Sequence, residues 1–449
     1  MTKGKSAIKG IARMPYHLMA KPTGFRCNIA CDYCFYLEKA KGSLRPGNDQ
    51  RVMDDQTLEA YIRTYIRTNP LEEIEFSWQG GEPTLAGIGF FEKALTLQRQ
   101  YAAGKKILNS IQTNGLLIDG DWARFLARNN FLVGLSLDGP AALHDTHRTA
   151  NNGKGVHHLV LRALEHLKRH KVETNILCVV NATTASQPEE IYHYLTGELG
   201  MRFIQFIPAV EQRSPDNPTG ELLHPQNEEQ GAALTPWSVS GKAYGAFICA
   251  IFDIWVRSDV GKVFVQLFDN TLSAWLGQKP ALCVMQPTCG QNLVIEMNGD
   301  IYSCDHYVYP ENRLGNVRSD DLATLVDSKA QRSFATAKAK FPHVCAQCEW
   351  RFACQGGCPK HRIHRQGSHW HNHLCDGYQA MFGHMAPYMA FMAEQIRNQR
   401  PPSAVMSALS TIRQKGVEGK NSPEKDWPVK NWPEKKKQDK NFIAELRAP

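Results

Sequence analysis

Three cysteines near the N-terminus, Cys27, Cys31 and Cys34, lie in one short segment with the spacing C-x3-C-x2-C. Three thiolates in one loop are dense enough to hold an iron-sulfur cluster or a zinc ion. A structural zinc site or an electron-carrying cluster takes four protein ligands, whereas three leave one metal position open to a small molecule. The segment therefore predicts a catalytic metal centre, and a zinc knuckle with a remote fourth ligand is the alternative.

A second and larger group of cysteines lies in the C-terminal half of the chain. Its eight members are Cys283, Cys289, Cys304, Cys345, Cys348, Cys354, Cys358 and Cys375. Eight thiolates make two sets of four, and complete ligation by cysteine suits clusters that only carry electrons. Two zinc ribbons are the alternative, because paired cysteines do not distinguish zinc from iron-sulfur.

The remaining two of the 13 cysteines, Cys178 and Cys249, lie in apolar runs and are expected in the core. The N-terminus lacks an apolar segment followed by a cleavage site, so we expect a cytoplasmic protein whose thiols stay reduced. No segment has the apolar length of a membrane span. The cysteines thus indicate metal binding rather than disulfides. The histidines from His361 to His373 are expected to be solvated or hydrogen-bonded.

Length and composition indicate an ordinary globular protein. The chain has 449 residues, of which 42% are hydrophobic and 21% charged, and this length suggests two domains. The net charge is +8, but the last 36 residues contribute nine Lys or Arg against six Asp or Glu. The remaining charge is modest for this length, so we expect no nucleic-acid partner.

Apolar, strand-like runs alternate with helical periodicity, which favours a parallel α/β fold. Six strands are predicted, at residues 16–22, 73–78, 106–112, 131–137, 173–180 and 202–208. A helix is predicted to follow Asp54 and Asp55, which can cap it. Six strands favour a partial (β/α)6 TIM-like barrel, with an open doubly wound sheet as the alternative.

The residues with chemical potential follow these strands directly. The first strand leads into the cysteine loop and the second into QGGEPT, residues 79–84. Parallel α/β folds collect their chemistry at the carboxyl ends of their strands. Gly80 and Gly81 allow the backbone to approach a small molecule closely, although a simple turn would also explain them.

The C-x3-C-x2-C spacing, with Tyr33 before the last cysteine, is similar to the signature of the radical S-adenosylmethionine (SAM) superfamily. The resemblance implies a 4Fe-4S cluster whose open iron is chelated by SAM. It further implies contacts to the SAM amino group and carboxylate from Gly80, Gly81, Glu82, Ser136 and Arg148. A solvated Arg148 is the alternative, since arginines in polar loops are mostly exposed.

The C-terminal cysteine array resembles a SPASM domain, the extension of radical SAM enzymes that modify peptides and proteins. This resemblance assigns one 4Fe-4S cluster to Cys283, Cys289, Cys304 and Cys358. It assigns a further 4Fe-4S cluster to Cys345, Cys348, Cys354 and Cys375. Three clusters are thus expected in all.

Four longer segments resemble the anaerobic sulfatase-maturating enzymes: IQFIPAVE, FVQLFDNTLSAWLG, GDIYSCDHYVYPENRLGNV and CQGGCPKHR. The similarity runs from about residue 16 to about residue 400. It implies oxidation of a Cys or Ser, within a Cys/Ser-x-Pro-x-Arg segment of a sulfatase, to Cα-formylglycine. It also implies that Asp305 is the general base and that Tyr36 lies near the substrate. A turn or loop-bracing role is the alternative for Asp305.

The chemistry that the resemblance implies begins with electron transfer to SAM, which yields a 5′-deoxyadenosyl radical. The radical removes a Cβ hydrogen, Asp305 accepts the thiol or hydroxyl proton, and the leftover electron leaves through the other two clusters. A flavodoxin or ferredoxin is the expected electron donor. Two other functions stay open, namely a SPASM-type maturase of another peptide or protein and a non-enzymatic zinc or iron-sulfur scaffold or electron carrier.

The expected domains are a radical SAM partial barrel over residues 1–235 and a SPASM domain over residues 236–400. Residues 401–449 are expected to form a disordered basic tail, because their composition shifts to Lys, Glu, Asn and Pro. Trp427 and Trp432 in this tail raise the alternative of a docking segment.

Overall fold

The computed structural model describes residues 10–36, 51–214, 216–217, 222–224, 232–366 and 369–412. Its strands are β1 (His17–Lys21), β2 (Ile29–Cys31), β3 (Glu73–Trp78), β4 (Lys106–Thr113), β5 (Phe131–Ser136), β6 (Arg148–Ala150), β7 (Thr174–Val180), β8 (Phe203–Pro208), β9 (Gln212–Arg213), β10 (Ala233–Leu234), β11 (Phe264–Val265), β12 (Asn292–Glu296), β13 (Asp300–Tyr302), β14 (Arg313–Asn316), β15 (Arg362–Gln366) and β16 (His369–Asn372). Its α-helices are α1 (Asp55–Thr68), α2 (Ile88–Tyr101), α3 (Gly120–Arg128), α4 (Ala141–His147), α5 (His157–Arg169), α6 (Pro188–His193), α7 (Gly241–Ser258), α8 (Gln266–Trp275), α9 (Leu322–Val326), α10 (Lys329–Ala337), α11 (His343–Ala346), α12 (Arg351–Cys354) and α13 (Cys375–Arg397).

The six predicted strands are confirmed as β1, β3, β4, β5, β7 and β8, with ends that differ by one residue at most. They are parallel and lie side by side in chain order within a ten-stranded sheet. A doubly wound sheet would instead reverse its strand order at a switch point. The partial barrel is therefore confirmed, and the doubly wound alternative is wrong.

Local sequence explains why these elements form. Ile74, Phe76 and Trp78 alternate along β3 and are buried, as a half-buried strand requires. The side chain of Asp54 accepts a hydrogen bond from the backbone N–H of Thr57 and so caps α1. The apolar side chains of α1 recur at three- and four-residue steps and are buried against the sheet.

One pairing was not predicted: β12, from the C-terminal half, lies parallel to β1 at the far side of the barrel strands. The register runs from His17 opposite Asn292 to Lys21 opposite Glu296. Strands β13 and β14 continue the same sheet in antiparallel fashion. The C-terminal cysteine region is thus joined to the first barrel strand, directly beside the N-terminal cysteine loop.

Close packing of α7 on α13 fixes the last of the cysteines. A Cβ added at Gly245 would lie 2.6 Å from the Cα of Gly377, and one at Gly377 would lie 2.0 Å from the carbonyl oxygen of Gly241. Only glycine allows backbones this close. Because α13 begins at Cys375, this contact holds that thiol in place.

Residues up to Ser407 form one compact unit, and a second unit begins at Ala408. The predicted domain boundary at residues 235 and 236 stays a prediction. In the predicted tail, residues 402–407 form a short 3-10 helix, whereas residues 413–449, with both tryptophans, lie outside the described residues. None of the described helices is long and apolar enough to cross a membrane.

Candidate active site

The N-terminal cysteine loop begins where β1 ends and is anchored by the short strand β2, in which Cys31 pairs with Arg148 of β6. A turn bond from the Cys34 N–H to the Cys31 carbonyl, 3.1 Å, brings these two residues together. Burial, with the charges of the neighbouring thiols, raises the pKa of Cys27 to about 11 and that of Cys31 to about 12. A bound metal group would favour the thiolate forms of Cys27 and Cys31 against these raised pKa values, because its positive charge stabilises thiolates.

Arg148 is buried beside this loop, 7% exposed, and is not solvated. Its Nε donates to Asp138 at 2.8 Å, and its Nη1 lies 3.9 Å from the sulfur of Cys31. Tyr33 donates its hydroxyl to the same carboxylate. The guanidinium is therefore held next to the thiol group by a buried carboxylate.

The segment after β3 is fastened to the cysteine loop by its backbone. The N–H of Gly81 donates to the carbonyl of Gly24 and that of Glu82 to the carbonyl of Arg26, both at 2.8 Å. A Cβ added at Gly81 would lie 2.0 Å from the Arg26 oxygen, and Gly80 has a φ of +139°. Both glycines are thus required by the close approach of the two loops.

The carboxylate of Glu82 is fully buried and braces the strand ends. It accepts four hydrogen bonds, from the N–H and hydroxyl of Thr84, the hydroxyl of Thr113 and the N–H of Asn114. Asn114 in turn donates to Asn28 at 2.7 Å and lies 3.6 Å from the Cys27 sulfur. Glu82 therefore shapes the site through its neighbours, and both of its carboxylate oxygens already accept hydrogen bonds.

Ser136 ends β5 and accepts a hydrogen bond from Gln112 of β4 at 3.0 Å. The two side chains come from neighbouring strands of the barrel. Ser136 is partly exposed at the end of its strand.

The C-terminal thiols fall into two separate groups, which we name the near group and the far group. The near group is Cys283, Cys289, Cys304 and Cys358, whose charges act on one another. The far group is Cys345, Cys348, Cys354 and Cys375, which line one cavity. These are the two sets that the resemblance assigns to separate clusters, and their role as ligands stays a prediction.

In the described ranges, no three Cys, His, Asp or Glu side chains converge on a point that one metal ion would occupy.

Lys21 lies between the N-terminal loop and the near group and is almost completely buried, 1% exposed. Its ammonium donates to Gln79 at 2.9 Å and lies 4.5 Å from the ring centroid of Tyr36. Its charge is attracted by Asp305, and by Glu296, Cys34 and Cys304 when these are ionised. The buried Lys21 ammonium therefore lies near the predicted catalytic residues Asp305 and Tyr36. It also lies near Cys34 of the N-terminal loop and Cys304 of the near group.

Asp305 and Tyr36 both lie near this cation, Asp305 through its charge and Tyr36 through its ring. Burial acts to raise the pKa of Asp305, but the charges of His306 and Lys21 outweigh it, so that the pKa lies below its usual range. Tyr36 is 2% exposed and donates its hydroxyl to Glu296, whose pKa burial raises to about 8.

Known families match both cysteine regions. The radical SAM superfamily model matches residues 22–195, and the SPASM model, an iron-sulfur cluster-binding domain, matches residues 283–349. The serine-type anaerobic sulfatase-maturating enzyme of Bacteroides thetaiotaomicron is 43% identical over 88% of this chain and 95% of its own length. This chain belongs to the anaerobic sulfatase-maturating enzymes.

As a radical SAM sulfatase-maturating enzyme, the chain is similar to both named types of its family. The cysteine-type enzyme of Clostridium perfringens is 35% identical over 85% of this chain and 100% of its own length. The structure of native anSMEcpe with bound AdoMet, another name for SAM, superposes with a TM-score of 0.75 at 35% identity, over the same shares of the two chains. A companion structure of that protein also holds a peptide, Kp18Cys.

Several residues of this sulfatase-maturating enzyme were missed from the sequence. They are Lys21, Glu296, Asp138 and Asn114. A lysine at the end of the apolar strand HLMAK was the strongest available signal, because strands facing a barrel interior rarely carry charge. The others depend on contacts between distant segments, which no local pattern reveals.

Proposed function

We propose that this chain oxidises a Cys or Ser within a Cys/Ser-x-Pro-x-Arg segment of a sulfatase to Cα-formylglycine, with SAM and three 4Fe-4S clusters. The observation that carries the proposal is the position of Lys21, whose buried charge acts on Cys34, Cys304 and Asp305 together. Such proximity allows hydrogen removal, proton transfer and electron removal at one substrate carbon.

The N-terminal loop fits a cluster with one open iron because it offers three thiols and a backbone cradle that a Cβ would fill. Cys27, Cys31 and Cys34 would hold this cluster. When bound, the reduced cluster and SAM supply a 5′-deoxyadenosyl radical, which removes a hydrogen atom from the substrate Cβ.

The remaining contacts to SAM come from the strand ends. The backbone of Gly80 and Gly81 would meet its amino group, while Ser136 and Arg148 would meet its carboxylate. Glu82 would contribute through the loop it braces, since its carboxylate already accepts four hydrogen bonds. Arg148 suits a carboxylate because the Asp138 ion pair keeps its guanidinium fixed and dehydrated.

Asp305 would accept the proton of the substrate thiol or hydroxyl. Its lowered pKa supports the ionised form that a base requires, and Lys21 is one physical cause of that shift. Tyr36 would lie against the substrate, with its hydroxyl fixed by Glu296. Neither side chain has to leave the protein interior to act.

The near and far groups would each hold a 4Fe-4S cluster and carry the substrate electron away. Complete cysteine ligation leaves these clusters without an open position, as electron carriers require. A reduced flavodoxin or ferredoxin would supply electrons, and we place the enzyme in the cytoplasm, where its thiols stay reduced. We keep residues 1–235 as the barrel domain, residues 236–400 as the SPASM domain and residues 401–449 as a disordered tail.

The test incubates anaerobically reconstituted protein with SAM, dithionite and two sulfatase-derived peptides that differ only in Cys or Ser. We expect about twelve irons per chain. The Ser peptide should lose two hydrogens, and the Cys peptide should also exchange sulfur for oxygen. Protein with full iron content that leaves both peptides unchanged, while still releasing 5′-deoxyadenosine, would contradict the assigned substrate and point to another peptide.

A further inference from the structure

Lys338 follows α10 and is buried in the protein interior, with 0% of its surface exposed. Its ammonium donates to the backbone carbonyl oxygens of Cys283 at 2.7 Å and Val284 at 3.0 Å. In the described part of the chain, no carboxylate forms an ion pair with it. A buried ammonium without a negative partner is strongly unfavourable, so its compensation must lie elsewhere.

The groups that attract this ammonium, when they are ionised, are cysteines of the near group. Cys289, Cys358 and Cys283 act on Lys338 as thiolates, and each is predicted to hold the same cluster. The side chain therefore lies against the ligand loop, with its charge directed at the near group. Hydrogen bonding to the Cys283 carbonyl fixes it there.

A second buried cation, Arg362, also lies close to the near group. Its side chain is 8% exposed and donates to the carbonyls of Gly356 and Lys340, at 3.3 and 3.2 Å. Its Nη2 atom is buried and lacks a hydrogen-bond partner among the described residues. The guanidinium acts on Cys289 and Cys358 of the near group and on Cys345 of the far group.

Two buried cations that repel one another are stable together only if a negative group lies between or beside them. The near group with a bound cluster would supply this charge, since the four thiolates and the four sulfides together outweigh the positive charge of the four irons. The structure assigns Lys338 to this role: we propose that it is the fixed counter-charge of the near-group cluster and raises the potential at which that cluster takes up an electron.

The direction follows from electrostatics. Reduction adds one electron to the cluster, so a nearby positive charge stabilises the reduced form more than the oxidised form. A higher potential favours transfer of the substrate electron onto the near group. Lys338 would thus act on the reduction potential of the cluster and would not touch the substrate. This inference rests on the proposed function, because it presumes that the near group holds iron.

The test measures reduction potentials by electron paramagnetic resonance during a dithionite titration of the full chain. Cys27→Ala, Cys31→Ala and Cys34→Ala remove the N-terminal cluster from every sample, so that only the two C-terminal clusters give signals. Lys338→Gln keeps a donor for the carbonyls but removes the charge, and Lys338→Arg keeps the charge. Lys340→Gln is the matched control, because Lys340 is exposed two residues away.

We expect Lys338→Gln to lower the equilibrium constant for reducing one cluster at least tenfold, about 59 mV for one electron. Lys338→Arg and Lys340→Gln should leave both potentials near their original values. Loss of about four irons in Lys338→Gln but not in Lys338→Arg would also support the assignment, because it shows that the cluster needs the charge.

Unchanged potentials in an iron-replete Lys338→Gln variant would overturn the inference and leave the proposed function intact. Iron loss in both Lys338 variants would also overturn it, since packing rather than charge would then explain the residue. A parent protein with zinc instead of iron in the C-terminal groups would overturn this inference together with the proposed clusters.

Discussion

The two cysteine regions differ in how the buried cation beside them is compensated. Beside the N-terminal loop, Arg148 is neutralised by Asp138, so the thiols there face a compensated cation. Beside the near group, Lys338 has no described carboxylate partner and is attracted by thiolates alone. A cluster without extra positive charge is harder to reduce and is the stronger reductant, whereas one beside a free cation accepts electrons more readily. The contrast matches the proposed roles of donor to SAM and acceptor from substrate.

Replacing single cysteines should give the largest difference in SAM cleavage between the two cysteine regions. Cys27→Ala should abolish release of 5′-deoxyadenosine, because the cluster that reduces SAM is lost. Cys354→Ala should remove about four irons as well, but SAM cleavage should continue. Iron analysis with chromatographic detection of 5′-deoxyadenosine checks both variants. If Cys354→Ala stopped SAM cleavage while the N-terminal cluster remained, the separation of roles would be wrong.

Asp305→Asn should affect substrate oxidation and spare SAM cleavage. Loss of a positioned general base typically costs about a hundredfold or more in rate, so formylglycine formation should fall by at least that factor. Peptide mass spectrometry and 5′-deoxyadenosine release measure the two steps separately. Asp320→Asn, a change at an exposed position, is the control. Full formylglycine yield with Asp305→Asn and intact clusters would remove the assigned role.

Two glycine substitutions compare a closely packed loop with an open helix. A Cβ at Gly81 meets the Arg26 oxygen at 2.0 Å, whereas one at Gly89 in α2 meets nothing within 4 Å. Gly81→Ala should therefore destabilise the protein by about 1–3 kcal/mol and weaken SAM binding. Gly89→Ala should be neutral or stabilising by up to about 1 kcal/mol.

Denaturant unfolding and SAM titration give the two readouts for this pair. Equal stability and equal SAM affinity of the two variants would show that the loop contact is not needed.

The smallest expected effect is the pH dependence contributed by Glu296. Burial raises its pKa from 4.5 to about 8, so the folded state favours the neutral acid. The unfolded chain ionises first as the pH rises, and stability from this group is lost between about pH 4.5 and pH 8. Glu296→Gln should lose less stability over that window, as measured by urea unfolding of the metal-free protein at several pH values. If the unfolding free energies of the parent protein and of Glu296→Gln changed with pH in parallel, the raised pKa of Glu296 would be contradicted.

Local sequence was enough for the barrel strands and for the cysteine loop. Alternation at Ile74, Phe76 and Trp78, and the cap at Asp54, are decided within a few residues. The cysteine loop around β2 needs only its cysteines to be recognised. These features were predictable because the residues that determine them lie close together in the sequence.

Contacts between segments that are distant in the sequence could not be predicted from local patterns. The pairing of β12 with β1 joins segments more than 270 residues apart, and it brings Glu296 to Lys21. The bracing role of Glu82 depends on Thr113 and Asn114 of another strand end. Lys338 carries no local signal of burial, because its helix has charged and polar residues on most sides. Each depends on tertiary packing rather than on periodicity.

The central claim is that Cys27, Cys31 and Cys34 hold a cluster with one iron left open for SAM. Its most direct test records the electron paramagnetic resonance spectrum of the dithionite-reduced protein before and after addition of SAM, in a chain that keeps all its cysteines. We predict that SAM changes the signal of one cluster and that the change is absent in Cys31→Ala. A spectrum that SAM leaves unchanged, in protein with about twelve irons per chain, would contradict the claim.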